Sequence, residues 1–160
     1  MPRNPRLRIN AIHTFAGTQL RLECHRKMQM LRRRFGESYE QPTGIPMLTK
    51  AHNLPSKHVI HVVGPIVDGE LTSKHESDLE NCYINSLNMC LENDIRSIAF
   101  CCISTGVFHF PNERAAEIAV GSVKNWFSSS KAHEEAIDRV IFNVFNDEDL
   151  RIYNSILGGM

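Results

Sequence analysis

The segment Ser104-Thr105-Gly106-Val107-Phe108-His109-Phe110 follows an apolar run and leads into Pro111. Its two hydroxyls, its glycine and the helix expected after it suit a diphosphate. Gly106 lets the main chain approach a ligand closely, and N–H groups near a helix N-terminus attract anions. Phe108 and Phe110 are too apolar for an idle surface loop, so they either wall a sugar or pack beneath the loop. A Ser-Thr-Gly turn is common, and an ordinary connection is the competing reading. The second candidate is Phe145-Asn146-Asp147-Glu148. Phe145 either stacks on a nucleobase or closes the core.

Other chemistries are less well supplied. The eight histidines are scattered, and neither Cys24-His25 nor Cys101-Cys102 has zinc-site spacing. The expectation is that this chain alone holds no metal. No G-x-x-x-x-G-K-[ST], G-x-G-x-x-G or G-x-S-x-G pattern occurs, which speaks against P-loop, dinucleotide-fingerprint and hydrolase-elbow chemistry. The cysteines number five, with no C-x-x-C pair. Cys101 and Cys102 are neighbours on a strand and face opposite ways, so they cannot easily join. Cys82 and Cys90 read as apolar filler in a helix. The expected setting is reducing and cytoplasmic.

These loops need a scaffold, and hydrophobic periodicity outlines one. Residues 11–34 read as a helix with Ile12, Ala16, Leu20, Cys24, Met28 and Leu31 in one stripe. Its basic residues, Arg21, Arg26, Lys27 and Arg32 to Arg34, suit a solvated face better than an anion site. A short edge strand is expected near 47–51, and a β-branched strand at 59–63 ends at Gly64-Pro65. A helix follows over about 77–92. Residues 97–103 are apolar almost throughout, so both faces of that strand are expected to be covered. Pro111 opens the next helix. Its buried stripe is Ala115, Ile118, Ala119, Val123 and Trp126. Residues 140–145 form another strand. Asn146 or Asp147 then caps a last helix through Leu157. Alternating strand and helix imply parallel strands with right-handed crossovers, hence an α/β layered domain. In such folds ligands bind beyond the carboxyl ends of the strands, where both candidate loops fall.

Composition agrees with one globular domain: 160 residues, 42% hydrophobic and 22% charged, with zero formal net charge. Nothing in the charge balance suggests a nucleic-acid or membrane surface, and no apolar run approaches the roughly 20 residues of a membrane span. The basic start, residues 1–8, lacks the apolar centre of a secretory signal.

Several segments, in order, resemble the macrodomain family: Asn10-Ala11-Ile12-His13-Thr14-Phe15-Ala16-Gly17, then Asn53-Leu54-Pro55-Ser56-Lys57 leading into Val59-Ile60-His61-Val62-Val63-Gly64-Pro65, then Phe100-Cys101-Cys102-Ile103-Ser104-Thr105-Gly106 with Phe110-Pro111-Asn112. The wording is most similar to the bacterial zinc-containing branch of protein-ADP-ribose hydrolases. The resemblance covers about residues 10–157. It implies a three-layer α/β/α sandwich with a mixed, mostly parallel sheet, and a partner that is ADP-ribose or an ADP-ribosylated protein. It implies that Ser104, Thr105, Gly106, Val107 and Phe108 wrap the diphosphate and distal ribose. Phe145 and Asn146 would lie near the adenosine, and Asn10 at the first ligand-binding loop.

The chain also departs from the family's pattern. A Gly-Asp-Ile-Thr stretch, an Asn-Ala-Ala-Asn strand and the Cys- and His-containing zinc loop precede the residue matching Asn10 in the family, and residues 1–9 have none of them. The domain is therefore expected to be an incomplete macrodomain over 10–160, after a divergent segment 1–9. The family's acidic residue before Asn10 is here Ile9, which can neither take nor orient a proton. A partial ADP-ribosyl hydrolase that binds without turnover is the leading expectation. Its competitors are an active hydrolase that removes ADP-ribose from protein side chains with zinc, and a non-binding remnant or a protein-interaction module using the basic helix.

Overall fold

A computed structural model describes residues 6–159, with side chains from residue 11 onward. In chain order the elements are α1 (Arg6–Ala16), α2 (Thr18–Phe35), β1 (Met47–Lys50), β2 (His58–His61), α3 (Ser73–Glu92), β3 (Ser97–Cys101), α4 (Asn112–Ser128), α5 (Lys131–Ala136), β4 (Arg139–Asn143) and α6 (Asp147–Gly158).

The helix expected over 11–34 is two helices. Gly17 adopts φ 83°, which no helix can carry, and a Cβ there would meet Asn53 Nδ2 at 2.9 Å. The break lets Ala16 and Leu20 be buried completely, whereas Ile12 of the expected stripe is exposed. Helix α3 begins four residues earlier than the expected 77. Thr72 and His75 form a reciprocal capping box there. Histidine at the third position is not the usual Glu or Gln, so the start is hard to read from sequence. The short α5, capped by Ser130, buries none of its residues and has no apolar period to betray it.

The described strands form two pairs. β1 and β2 are antiparallel, with Met47 opposite His61 and Thr49 opposite Val59. β3 and β4 are parallel, with Ser97 opposite Arg139 and Cys101 opposite Asn143. A parallel bridge, Thr43 to Val63, extends the β2 side, and Asn85 of α3 donates to the Gly44 carbonyl at 2.8 Å beside it. The single mixed, mostly parallel sheet that was expected is not formed among the described residues: the antiparallel and the parallel pair are separate two-stranded sheets. The antiparallel pair packs against α2, while α3, α4 and α6 surround the main core with β3 and β4, in α/β layers.

The expectation that both faces of β3 are covered needs correction. Phe100 is buried and Ile98 half-buried, but Ser97, Ala99 and Cys101 are exposed, as are Arg139, Ile141 and Asn143 of β4. Among the described residues the helices cover one face of this pair only. There Tyr83 of α3 meets Phe100 edge-on at 4.9 Å, and Tyr153 of α6 meets Phe142 at 5.2 Å. An apolar composition says that a strand prefers burial; it does not supply the second layer.

Candidate functional site

Parallel pairing of β3 and β4 carries both strands to the same sheet edge. The segment 104–110 leaves that edge from β3 and 145–146 leaves it from β4, so the two loops expected to act together emerge side by side. Asn10 lies in α1, and its side chain, like that of Ile9, is outside the described residues.

The first loop is closely packed on one side. A Cβ on Gly64 would clash with the Ser104 hydroxyl and stand 2.6 Å from Ile103 Cγ2, so only glycine fits there. Ser104 takes a left-handed φ of 63° and His109 one of 56°. Such values are uncommon for residues with side chains, and they hold the loop in a shape an extended chain would not adopt. Three hydrogen bonds fix it: Phe110 N–H to the Ser104 carbonyl at 3.1 Å, His109 N–H to the Gly106 carbonyl at 3.1 Å and Val67 N–H to the Phe108 carbonyl at 2.9 Å. The Thr105 hydroxyl donates to the Cys102 carbonyl at 3.3 Å.

The loop's remaining polar groups are unspent. Among the described residues, the N–H groups of Thr105, Gly106, Val107 and Phe108 donate to no main-chain acceptor. Ser104 Oγ is buried with no hydrogen-bond partner. Unpaired buried polar atoms cost on the order of 1–3 kcal/mol each, so such atoms in a native structure call for a ligand or water. Phe110 is buried and packs beneath the loop, Phe108 is half-buried, and Gly106 and Val107 are exposed at the tip.

The second loop offers an aromatic surface. Phe145 is 67% exposed, so it does not close the core. Asn146 caps α6: its Oδ1 accepts from Asp149 N–H at 2.7 Å, and its Nδ2 donates to Asp149 Oδ2 at 2.9 Å. Its side chain is therefore committed locally. The buried Asp149 also accepts from Asn112 Nδ2 at 2.8 Å. One carboxylate thus ties the start of α4, which ends the first loop, to the start of α6, which ends the second.

A hollow of about 350 Å³ lies between α3 and α4. Glu76, Glu80 and Glu117 line it, and its Arg114 is already paired with Glu76 and Glu117. That charge has the wrong sign for a diphosphate.

Away from these loops the fold assembles a group that spacing alone hides. His13 of α1, Cys24 of α2 and His61 of β2 each place one ligand atom within 4.8 Å of the others. Burial, with His13 as its neighbour, pushes the His61 imidazole down to about 4, so it is neutral near pH 7. Burial and the adjacent Glu23 raise the Cys24 thiol. Two imidazoles and a thiol are a donor set that suits zinc.

A Gly-assisted, N–H-rich loop at the carboxyl end of parallel strands is a feature of layered α/β domains, whose ligands bind beyond that edge. Within that class, residues 9–119 match the Macro domain, and the chain belongs to the Macro domain family. It is 47% identical over 148 residues to a protein-ADP-ribose hydrolase of Treponema medium, covering 92% of this chain and 53% of that protein. It is 50% identical over 111 residues to the ADP-ribose glycohydrolase MACROD2 of Homo sapiens, covering 69% and 25%. The chain thus spans about half, or less, of the length of these relatives. Among solved structures, the Oceanobacillus iheyensis macrodomain with ADP superposes with a TM-score of 0.80 at 33% identity, covering 94% of this chain and 74% of that one. The Trypanosoma brucei macrodomain in complex with ADP-ribose does so with 0.71 at 32%, covering 92% and 55%.

Proposed function

We propose that this chain binds ADP-ribose, free or attached to a protein, through the loop 104–108 and the edge marked by Phe145. The carrying observation is the set of unspent donors: four consecutive main-chain N–H groups and the buried Ser104 hydroxyl, held in place by Gly64 and by the hydrogen bonds of the loop. Consecutive N–H groups beside a helix start are a preformed anion cradle whose ordering cost falls on folding rather than on binding. Phe145 presents an exposed ring for the adenine face. Asn146, whose side chain serves α6, would contribute its main chain. Asn10 would border the pocket from α1. The solved relatives that hold ADP or ADP-ribose support this choice of ligand.

Hydrolysis is a separate matter. A glycosidic bond to a protein side chain needs a group that positions or deprotonates water. In the place that the family resemblance gives to an acidic residue, these 160 residues have Ile9. Binding is therefore the function proposed for this chain, while hydrolysis is what its relatives are named for.

Calorimetric titration with ADP-ribose tests the reading. Micromolar, one-to-one binding supports it. Absence of binding by a cooperatively melting protein would overturn it in favour of an interaction module. That second reading has its own support in the side chains of Phe15 and Met30, 74% and 67% exposed on α1 and α2.

A further inference from the structure

We propose that His13, Cys24 and His61 form a binding site for a thiolate- and imidazole-preferring cation, Zn²⁺ in the first place. The three residues come from three elements, and their ligand atoms lie within 4.8 Å of one another. Cys24 Sγ and His61 Nε2 are 3.8 Å apart. Tetrahedral zinc, with bonds of about 2.0–2.3 Å, sets donor atoms roughly 3.3–3.8 Å apart, so small side-chain rotations close the set.

Two further observations point to a ligand here. His13 Nδ1 is buried with no hydrogen-bond partner among the described residues, a state that costs free energy unless something occupies it. The surroundings also hold the donors in place, as outer partners do in metal sites. Glu23, next to Cys24, receives the His52 ring nitrogen at 2.7 Å and the Lys50 N–H at 3.3 Å, which pins α2 to β1. Gln41 donates to the His61 carbonyl at 2.9 Å. Thr49 Oγ1 lies 2.8 Å from His61 Nε2 and 3.5 Å from the Val59 carbonyl. On metal binding the hydroxyl would turn wholly to that carbonyl and free Nε2. The thiol proton leaves to solvent as the thiolate bonds to the metal, and the fourth position stays open to water.

The residues are distinct from the Ser104 loop, and the proposal stands or falls independently of ADP-ribose binding. The test is titration of the intact metal-free chain with Co²⁺, a coloured stand-in for Zn²⁺, followed by competition with Zn²⁺. The expected result is a one-to-one complex with thiolate-to-cobalt charge-transfer absorption, bleached by Zn²⁺. Cys24→Ser should abolish the charge-transfer band. His13→Gln and His61→Gln should each weaken binding by at least about tenfold. Cys101→Ser, on the exposed strand face, should leave the spectrum unchanged. Thermal melts of every variant separate lost ligation from lost folding. No band in the parent chain, or a band that survives Cys24→Ser and disappears in Cys101→Ser, would overturn the assignment.

Discussion

The Asp149 carboxylate accepts a hydrogen bond from Asn112 Nδ2 at 2.8 Å, so the first residue of α4 is fastened to the first turn of α6. Asn146 is held by the same carboxylate. Asp149→Ala would leave two side-chain amides without their acceptor inside the protein. The expected loss of stability is roughly 2–3 kcal/mol, since bonds to a charged group exceed neutral ones. Urea denaturation measures it. A loss below about 0.5 kcal/mol would show that the clamp does not hold the two loops together.

Gly64 sets the position of the first loop from the other side. Gly64→Ala drives a methyl group into Ile103 and Ser104. The expected cost is about 1–3 kcal/mol of stability, as for other overpacked sites, together with weaker ADP-ribose binding. Adding Ser104→Ala should recover part of the stability, because one of the two colliding groups shrinks. A double-mutant cycle checks this. Strict additivity would mean that the two residues do not compete for space.

Gly106 is exposed at the loop tip. Gly106→Val should therefore leave the melting temperature nearly unchanged while abolishing ADP-ribose binding by blocking the approach to the four N–H groups. Unchanged affinity in calorimetry would remove the loop from the site.

Phe145→Ala should behave in the same way at the second loop. Its ring is mostly exposed, so stability should change little. Stacking of an aromatic on a base contributes about 1–3 kcal/mol, and affinity for ADP-ribose should fall roughly 5- to 100-fold. Ribose 5-phosphate binding should be unaffected, since it lacks the base. Equal losses for both ligands would place Phe145 at the phosphate instead.

Thiol chemistry reports on the core. Burial pushes Cys82 up to about 12 and Cys90 up to about 11. At pH 8 iodoacetamide should label the exposed Cys101 and leave both helix thiols intact until unfolding, as mass spectrometry would reveal. The same shifts carry a sign for stability. The thiols are protonated in both states below pH about 9. Above it the unfolded chain ionises first, so stability declines between about 9 and 12. A Cys82→Ala, Cys90→Ala variant should show a shallower decline, and an identical slope would mean that other groups control it.

The primary sequence alone made most of the elements legible and marked the two loops proposed to hold the ligand. Apolar periodicity revealed α3, α4, α6 and the strands. The residues Ser104, Thr105 and Gly106, set between an apolar strand and Pro111, marked the proposed anion loop, because hydroxyls, glycine and a helix start are local requirements. Asn146 was legible as a helix cap for the same reason. Tertiary structure decided what depends on several segments at once. Gly17 reads as an ordinary member of a helical stretch until Asn53 packs against it. Gly64 reads as a strand terminator until the Ser104 loop lies across it. The apolar run of β3 reads as buried on both faces, yet among the described residues helices cover only one. His13, Cys24 and His61 look unrelated along the chain. They converge because the break at Gly17 and the β1–β2 pairing fold three distant segments together, and no local spacing rule records such a meeting.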